Sequence, residues 1–195
     1  MSVRKSEYET ALADYSNRHR VVSLLGAYRQ YLEMIPSMRR PTESVITIPL
    51  PVARVKNLRT VYRAEELSPE ASNEVTPIPC DIAILMCDPE WKIKVGVEIL
   101  VFIHRPGEDF SDLLRRWRRC QVYLNKEYEW IMPPTEAHMF SDVAEELHPL
   151  FVVFPQTPER IRRGLRGANL PYVEYTPQTT VEETKLCPPP LERGN

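Results

Sequence analysis

The chain has 195 residues, of which 43% are hydrophobic and 27% are charged, and its formal net charge is −2. These proportions are typical of a globular domain and exclude a collagen-like chain or a wholly disordered one. The most apolar window, residues 93–103, is interrupted by Lys94 and Glu98. It is also shorter than the roughly 20 residues that cross a bilayer, so no membrane span is predicted.

The net charge conceals an uneven distribution, with +6 over residues 1–63 and −7 over residues 64–109. A basic segment beside an acidic one is compatible with a nucleic-acid partner and a metal site. The N-terminal residues lack the apolar run of a secretory signal, and the four cysteines show no metal-ligand spacing. We therefore expect an intracellular protein with buried thiols.

Apolar residues at i, i+4 and i+7 predict a helix over residues 4–35, which Pro36 ends. A strand is predicted over residues 44–50 and a second short strand over residues 54–63. The acidic segment 65–77 is rich in turn-forming residues, so we expect a loop there.

Residues 78–87 and 91–104 are predicted to form two central strands. In the second strand every odd position from Trp91 to Ile103 is apolar, and the even positions are mixed. Period-two alternation predicts one face in the core and one mixed face that carries Glu98.

After Pro106, an apolar stripe predicts an amphipathic helix over residues 110–126, capped by Asp109 or Ser111. The later predicted elements are a strand at 128–132, a helix at 135–148, a strand at 150–154, a helix from 157 to about 167 and a strand at 172–175. Strands alternating with helices predict one α/β domain over residues 1–177, a mixed central sheet flanked by helices. The proline-rich residues 178–195 are expected to be a disordered tail.

The two central strands each carry one acid, Asp81 in the first and Glu98 in the second. A symmetric hairpin turn at residues 88–91 would place these two side chains directly opposite each other. Two carboxylates on an apolar sheet are costly to bury unless a cation lies between them. The obvious cation is a divalent metal ion, so the pattern predicts a hydrolytic metal site. The alternative is a pair of acids on a solvated face.

In its element order and in the placement of these acids, the chain resembles the PD-(D/E)xK, or restriction-endonuclease-like, superfamily, whose core runs αβββαβ. The resemblance covers residues 4–155. Pro79-Cys80-Asp81 stands for the first half of the motif, with Pro79 two places before the acid rather than one, and Glu98-Ile99-Leu100 stands for the second half.

The resemblance implies that Asp81 and Glu98 are catalytic metal ligands, with the carbonyl of Ile99 as a third ligand. Leu100 stands where the family has the lysine that orients or helps to deprotonate the attacking water. A cation or amide from the next helix could replace that lysine, and Glu7 or Glu9 could add a first-helix ligand. A degenerate nuclease retained for binding or assembly remains a second interpretation.

The predicted helix 110–126 contains the run Arg115-Arg116-Trp117-Arg118-Arg119. Trp117 falls on the apolar stripe and is assigned to the core. Arg115, Arg116 and Arg119 are predicted to contact nucleic-acid phosphates, with a solvated helix surface as the alternative. The similar arginine cluster at residues 160–166 is interpreted as plain surface.

The sequence thus predicts a nucleic-acid-binding protein, for DNA or RNA, with a candidate Mg²⁺-dependent nuclease site at Asp81 and Glu98. The alternative is a non-enzymatic interaction protein. Its partner surfaces would be the proline-rich tail, the arginine helix and an acidic segment containing Glu65, Glu66, Glu70 and Glu74.

Overall fold

A computed structural model describes residues 3–59, 70–90, 92, 95–125, 127–132 and 144–177. The helices in these residues are α1 (Lys5–Tyr15), α2 (Arg18–Gly26), α3 (Arg29–Leu32), α4 (Phe110–Leu124) and α5 (Glu159–Gly167). The strands are β1 (Val45–Pro49), β2 (Val52–Arg59), β3 (Glu70–Pro77), β4 (Ile82–Met86), β5 (Val97–Ile103), β6 (Tyr128–Trp130), β7 (Glu146–Val153) and β8 (Tyr172–Glu174). Within these ranges no helix is both long and apolar enough to span a membrane.

The described strands form two sheets. The large sheet has the order β1-β4-β5-β7-β8, in which β1, β4 and β5 pair antiparallel and β5, β7 and β8 pair parallel. The small sheet has the order β3-β2-β6 and is antiparallel. The predicted α/β class with a mixed sheet is confirmed.

One face of the large sheet is covered by α1, α2 and α3. Ile99, Val101 and Ile103 of β5 pack there against helix residues such as Leu25 and Tyr31. The prediction of a single helix over residues 4–35 is wrong, because the helical conformation is interrupted between α1 and α2 and again before α3. The side chain of Asn17 accepts a hydrogen bond from the backbone of His19, so an N-cap starts a new helix inside the apolar pattern.

The other face of the large sheet is covered by α4, α5 and the small sheet. Leu100 and Phe102 of β5 pack there with Trp117 of α4, Ile161 of α5 and Trp130 of β6. The alternative that the mixed face of this strand is solvated is therefore wrong, because a second layer buries it. A strand buried on both faces is the pattern of a central strand in an α/β sandwich.

Two further predictions are corrected. Residues 70–77, expected to be a loop, form β3, which pairs along its length with β2. Residues 146–148, expected to end a helix, instead begin β7. In both segments backbone pairing outweighs weak local propensity. Residues 65–69, 135–143 and 178–195, including the predicted tail, lie outside the described residues.

Candidate functional site

Asp81 lies just before β4 at one end of the large sheet, and its side chain is fully buried. Its Oδ1 accepts hydrogen bonds from the Tyr8 hydroxyl at 2.9 Å and from the Arg105 guanidinium at 2.7 Å. Its Oδ2 accepts from the backbone N–H of Ile103 at 2.6 Å and from the Arg116 guanidinium. Because both oxygens have cationic and neutral donors, the protein itself compensates the buried charge.

Arg116 reaches this carboxylate from α4, and only 10% of its side chain is exposed. Its Nε donates to the carbonyl of Pro79 at 3.0 Å. Its Nη1, the nitrogen that does not contact Asp81, donates to the carbonyl of Ile103 and to the Glu108 carboxylate, each at 3.2 Å. Arg116 is therefore an interior ion-pair partner. The alternative of a solvated helix surface is wrong for Arg116, and its predicted contact with a nucleic-acid phosphate near the carboxylates stays a prediction.

Glu98 lies in β5 on the face that carries the small sheet, and only 1% of it is exposed. Its Oε2 accepts a hydrogen bond from the Tyr128 hydroxyl at 2.8 Å, and its Oε1 accepts one from the Trp130 indole at 2.9 Å. Both donors belong to β6. Burial raises the pKa of Glu98 to about 7, and the two hydrogen bonds act in the opposite direction.

The predicted pairing of Asp81 with Glu98 is wrong. Strands β4 and β5 pair so that Leu85 lies opposite Glu98 and Ile82 lies opposite Val101. The two acids are thus about four residues apart along the sheet, or roughly 13 Å at ~3.3 Å per residue. The connection spans residues 87–96, so burial of apolar side chains decides the register rather than a tight turn.

Continuing the observed register by one residue places Phe102 opposite Asp81, and the backbone N–H of Asp81 donates to the carbonyl of Val101 at 2.8 Å. Two residues after Phe102 is His104, whose Nδ1 lies 2.9 Å from the Thr157 hydroxyl oxygen. Burial lowers the pKa of His104, so its imidazole is neutral near pH 7. The position opposite Asp81 therefore holds an aromatic ring, and the position two residues further, just beyond β5, holds a neutral imidazole, where the motif would have an acid and a lysine.

These residues do not fit a shared Mg²⁺ ion, because the two carboxylates are separated along the sheet and each has internal donors. In the part of the chain that the structure describes, no group of three or more His, Cys, Asp or Glu residues is placed to hold a metal. The first-helix acids also have other partners, Arg4 for Glu7 at 2.9 Å and Lys5 for Glu9 at 3.6 Å. Magnesium binding therefore stays a prediction of the sequence alone.

The remaining arginines of the run lie on the outer face of α4. Arg115, Arg118 and Arg119 are exposed. They line a groove of about 380 Å³ whose other walls are Phe110, Ser111, Leu114 and Val122. Guanidinium groups gathered on one face are well suited to bind phosphate or carboxylate groups.

The charges of these three arginines are only partly compensated. Arg115 pairs with Asp112 at 2.6 Å, and Arg119 donates to the Tyr123 hydroxyl at 3.2 Å. Among the described residues, no acid forms an ion pair with Arg118. The sequence predicted Arg115 and Arg119 as contact residues and omitted Arg118, although all three flank the apolar stripe of α4.

Helix α5 lies beside α4 on the same face of the large sheet, with the Phe110 ring packed close to Gly164. Its exposed face carries Arg160, Arg163 and Arg166. Glu159 pairs with two of them, and no described acid pairs with Arg160. The exposed face of α5 thus adds positive charge to the side of the protein on which the α4 arginines lie.

Sequence reasoning missed the partners that complete both acidic sites. Arg105 and Glu108 follow β5 directly and join Asp81 and Arg116 in one network. Tyr128 and Trp130 were assigned to a strand without any contact to Glu98. Arg105 and Glu108 could have been found from their position directly after a central strand, because charged side chains of neighbouring elements meet at the ends of such strands. No sequence signal places β6 against β5.

No protein-family model, no curated protein and no solved structure matches this chain.

Proposed function

We propose that the protein binds nucleic acid through the exposed arginines of α4 and does not cleave it. The observation that carries the proposal is the groove along α4, where Arg115, Arg118 and Arg119 lie together on the exposed side of the helix. Arginine is the side chain best suited to phosphate recognition, because its planar guanidinium donates two parallel hydrogen bonds. The arginines of α5 extend the positive surface.

The absence of catalysis is proposed from the surroundings of the two acids. Hydrolysis of a phosphodiester by this class of site needs carboxylates that converge on a metal ion. Here Asp81 is held by Arg105 and Arg116, and Glu98 is held by Tyr128 and Trp130. A guanidinium group bound to Asp81 supplies the positive charge that a metal would otherwise supply.

The arrangement of the large sheet is compatible with the restriction-endonuclease-like interpretation. Helix α1 precedes β1, the strands β1, β4 and β5 follow in antiparallel order, and α4 leads to the parallel strand β7. The β2–β3 hairpin and β6 stand outside this αβββαβ order. The proposal is a protein of this architecture in which an internal ion pair stands in place of a catalytic centre.

The binding half is tested by fluorescence anisotropy with labelled duplex and single-stranded DNA and RNA over a series of salt concentrations. For a duplex, the logarithm of affinity falls with the logarithm of salt at about −0.9 per neutralised phosphate. The triple variant Arg115→Ala/Arg118→Ala/Arg119→Ala should bind at least about tenfold more weakly and lose about 2 to 3 units of slope.

The matched control is the triple variant Lys5→Ala/Arg29→Ala/Arg39→Ala. It removes the same charge from exposed positions in α1, α3 and the loop after α3, on the other side of the large sheet. Its affinity should stay within about twofold of the wild type at constant ionic strength. Equal losses in both triple variants would show only general charge attraction, and no binding by the wild type would refute the proposal.

The non-catalytic half is tested by incubating the same nucleic acids with the protein and Mg²⁺ or Mn²⁺. The expected result is no cleavage above a protein-free control. Cleavage that disappears in a folded Glu98→Gln variant would contradict the proposal and restore the nuclease interpretation.

A second candidate function is docking of an acidic protein segment in the same groove. It is favoured by the apolar part of the lining, where Leu114 and Val122 lie among the arginines and 64% of Val122 is exposed. The double variant Leu114→Ser/Val122→Ser separates the two candidates. It should leave nucleic-acid affinity unchanged, since phosphate contacts do not need apolar side chains, and it should abolish binding of an amphipathic acidic peptide.

A further inference from the structure

Helices α4 and α5 begin at the same edge of the large sheet. Strands β5 and β7 are parallel neighbours, and α4 follows β5 as α5 follows β7. Core residues of both helices, among them Trp117 and Ile161, pack on one face of that sheet. Because the carboxyl ends of parallel strands meet at one edge, both helices start there and run back side by side across the same face.

The two helices touch where α4 begins. Gly164 of α5 faces the ring of Phe110, the first residue of α4, and the gap between them leaves no room for a side chain at residue 164. Helices in direct contact have axes about 8–10 Å apart. The outer faces of α4 and α5 are therefore neighbouring ridges of one surface.

The outer face of α4 carries a row of cations. Arg115 and Arg118 lie on the side of the helix opposite the buried Leu113 and Trp117, and Arg119 lies beside them. Of the Arg115 side chain 65% is exposed. Steps of three and four residues advance about one turn, or ~5.4 Å, so this row follows the helix axis.

The outer face of α5 carries a second row, which contains the exposed Arg160 and Arg163. The nearest described acid is Glu159, which forms an ion pair with Arg166 and lies 3.9 Å from the Nε of Arg163. Of the Arg163 side chain 75% is exposed. Among the described residues, no acid pairs with Arg160, just as none pairs with Arg118 of α4. Each ridge thus offers guanidinium groups to an external anion.

Two rows of cations on adjacent helices fit two rows of phosphates. A single strand presents one row, whereas a duplex presents one row on each side of a groove. The minor groove of B-form DNA is about 6 Å wide, and long arginine side chains on helices about 8–10 Å apart can reach both of its walls. The minor groove of duplex RNA is wide and shallow, so its two walls are further apart.

We infer that the protein binds duplex DNA across its minor groove, with the arginines of α4 on one strand and Arg160 and Arg163 of α5 on the other. The inference rests on the proposed nucleic-acid function and adds the form of the ligand and the second half of the surface. It also gives a role to the arginine cluster at residues 160–166, which the sequence alone left as plain surface. Because the contacts are to phosphates, affinity should depend little on base sequence.

The salt dependence of binding should differ between the two forms of DNA. A duplex held by both rows engages Arg115, Arg118, Arg119, Arg160 and Arg163. At about −0.9 per neutralised phosphate, the logarithm of its affinity should fall with the logarithm of salt at a slope of about −4.5. A single strand held by the α4 row alone should give a slope of about −2, at about −0.7 per phosphate.

The inference is tested with the double variant Arg160→Ala/Arg163→Ala and labelled DNA of about 12 base pairs, roughly 40 Å at 3.4 Å per base pair, so that the DNA is longer than α4. Fluorescence anisotropy should show at least about tenfold weaker binding of the duplex and a slope that is smaller by about 2 units. Affinity for the single strand of the same sequence should stay within about twofold of the wild type. The triple variant of Arg115, Arg118 and Arg119 should weaken the binding of both forms.

The matched control is Arg29→Ala/Arg39→Ala, which removes two exposed cations on the other side of the large sheet and should leave both affinities within about twofold. Both α5 substitutions are at exposed helix positions, where alanine favours the helix, and circular dichroism checks that the variant is folded.

The possible failures of the two proposals are distinguishable. Equal losses for duplex and single strand in the α5 variant, or no loss for either, would overturn the inference and leave binding through α4 intact. A loss of the same size with duplex RNA would overturn the assignment to a B-form minor groove. A wild-type protein that binds none of these nucleic acids would refute the proposed function and this inference with it.

Discussion

Arg115 and Arg116 are consecutive in sequence and have opposite surroundings. Successive residues of a helix are about 100° apart, so one side chain of the pair can point outwards while the next points into the protein. Of the Arg115 side chain 65% is exposed, whereas 10% of the Arg116 side chain is exposed, and Arg116 contacts the fully buried Asp81. The same residue type thus serves a surface and an interior ion pair on one helix.

This contrast predicts different effects on stability. Arg116→Ala leaves Asp81 with one fewer cation inside the protein, so the free energy of unfolding should fall by about 3–5 kcal/mol. Arg115→Ala removes an exposed pair with Asp112 and should change it by less than about 1 kcal/mol. Urea denaturation followed by circular dichroism measures both. Equal losses in the two variants would show that the buried network does not stabilise the fold.

Glu98 predicts a pH dependence of global stability. Its pKa is raised by burial from 4.5 to about 7 in the folded protein, so the folded state binds the proton more tightly than the unfolded state. This contribution to stability is complete below about pH 4.5 and is lost as the pH rises through about 7, a total of about 3 kcal/mol.

Urea denaturation of the wild type and of Glu98→Gln between pH 5 and 8 measures this contribution. The difference in unfolding free energy between the two proteins should change with pH in the stated direction. A difference that is constant over this range would show that Glu98 has the same pKa in the folded and unfolded states.

At the scale of elements, the contact between α4 and α5 depends on a glycine. A Cβ atom built at Gly164 of α5 would lie 2.7–2.9 Å from ring atoms of Phe110 on α4. Carbon atoms do not approach so closely, and a packed aromatic ring cannot move away as a flexible side chain does. The close approach of these two helices therefore requires the absence of a side chain at residue 164.

Gly164→Ala should lower the free energy of unfolding by about 1–3 kcal/mol, because the two helices are forced apart. Gly167→Ala is the matched control on the same helix, since a Cβ at that position meets no atom within 4 Å. It should be neutral or should stabilise the protein by up to about 1 kcal/mol through a less flexible unfolded chain. Thermal or chemical unfolding measures the stability of both variants. A Gly164→Ala variant that is more stable than the wild type would contradict the packing described here.

At the scale of the whole molecule, the large sheet is a central layer with both faces covered. Helices α1–α3 cover one face, while α4, α5 and the small sheet cover the other. Asp81 lies at the end of this sandwich, where Tyr8 reaches it from the first layer and Arg116 from the second. The ion-pair network therefore joins all three layers.

This arrangement predicts that Mg²⁺ does not stabilise the protein. A ligand present at about 100 times its dissociation constant would add about 2.7 kcal/mol to the stability of the folded state, which raises the Tm of a chain of this size by roughly 5–10 °C. We expect the Tm to change by less than about 1 °C when MgCl₂ replaces NaCl at equal ionic strength. A larger rise that is lost in Asp81→Asn would indicate a metal site after all.

The sequence by itself determined the elements whose local signals agree. The apolar stripe and the cap at Asp109 predicted α4 close to its observed bounds. The strands β5 and β7 were predicted with nearly correct ends, but their predicted starts at residues 91 and 150 differ from the observed starts at residues 97 and 146. The α/β class followed from their order. These features depend on residues near one another in the chain, so periodicity and capping are sufficient to predict them.

Only the tertiary structure decided the site. The register of β4 and β5 separates Asp81 from Glu98, because a ten-residue connection leaves side-chain burial, and not turn geometry, to select the pairing. The partners of the two acids come from elements distant in sequence, Arg116 from α4 and Trp130 from β6. Whether a buried carboxylate meets a cation, an indole or a metal depends on which layers pack together, and local sequence patterns do not encode that choice.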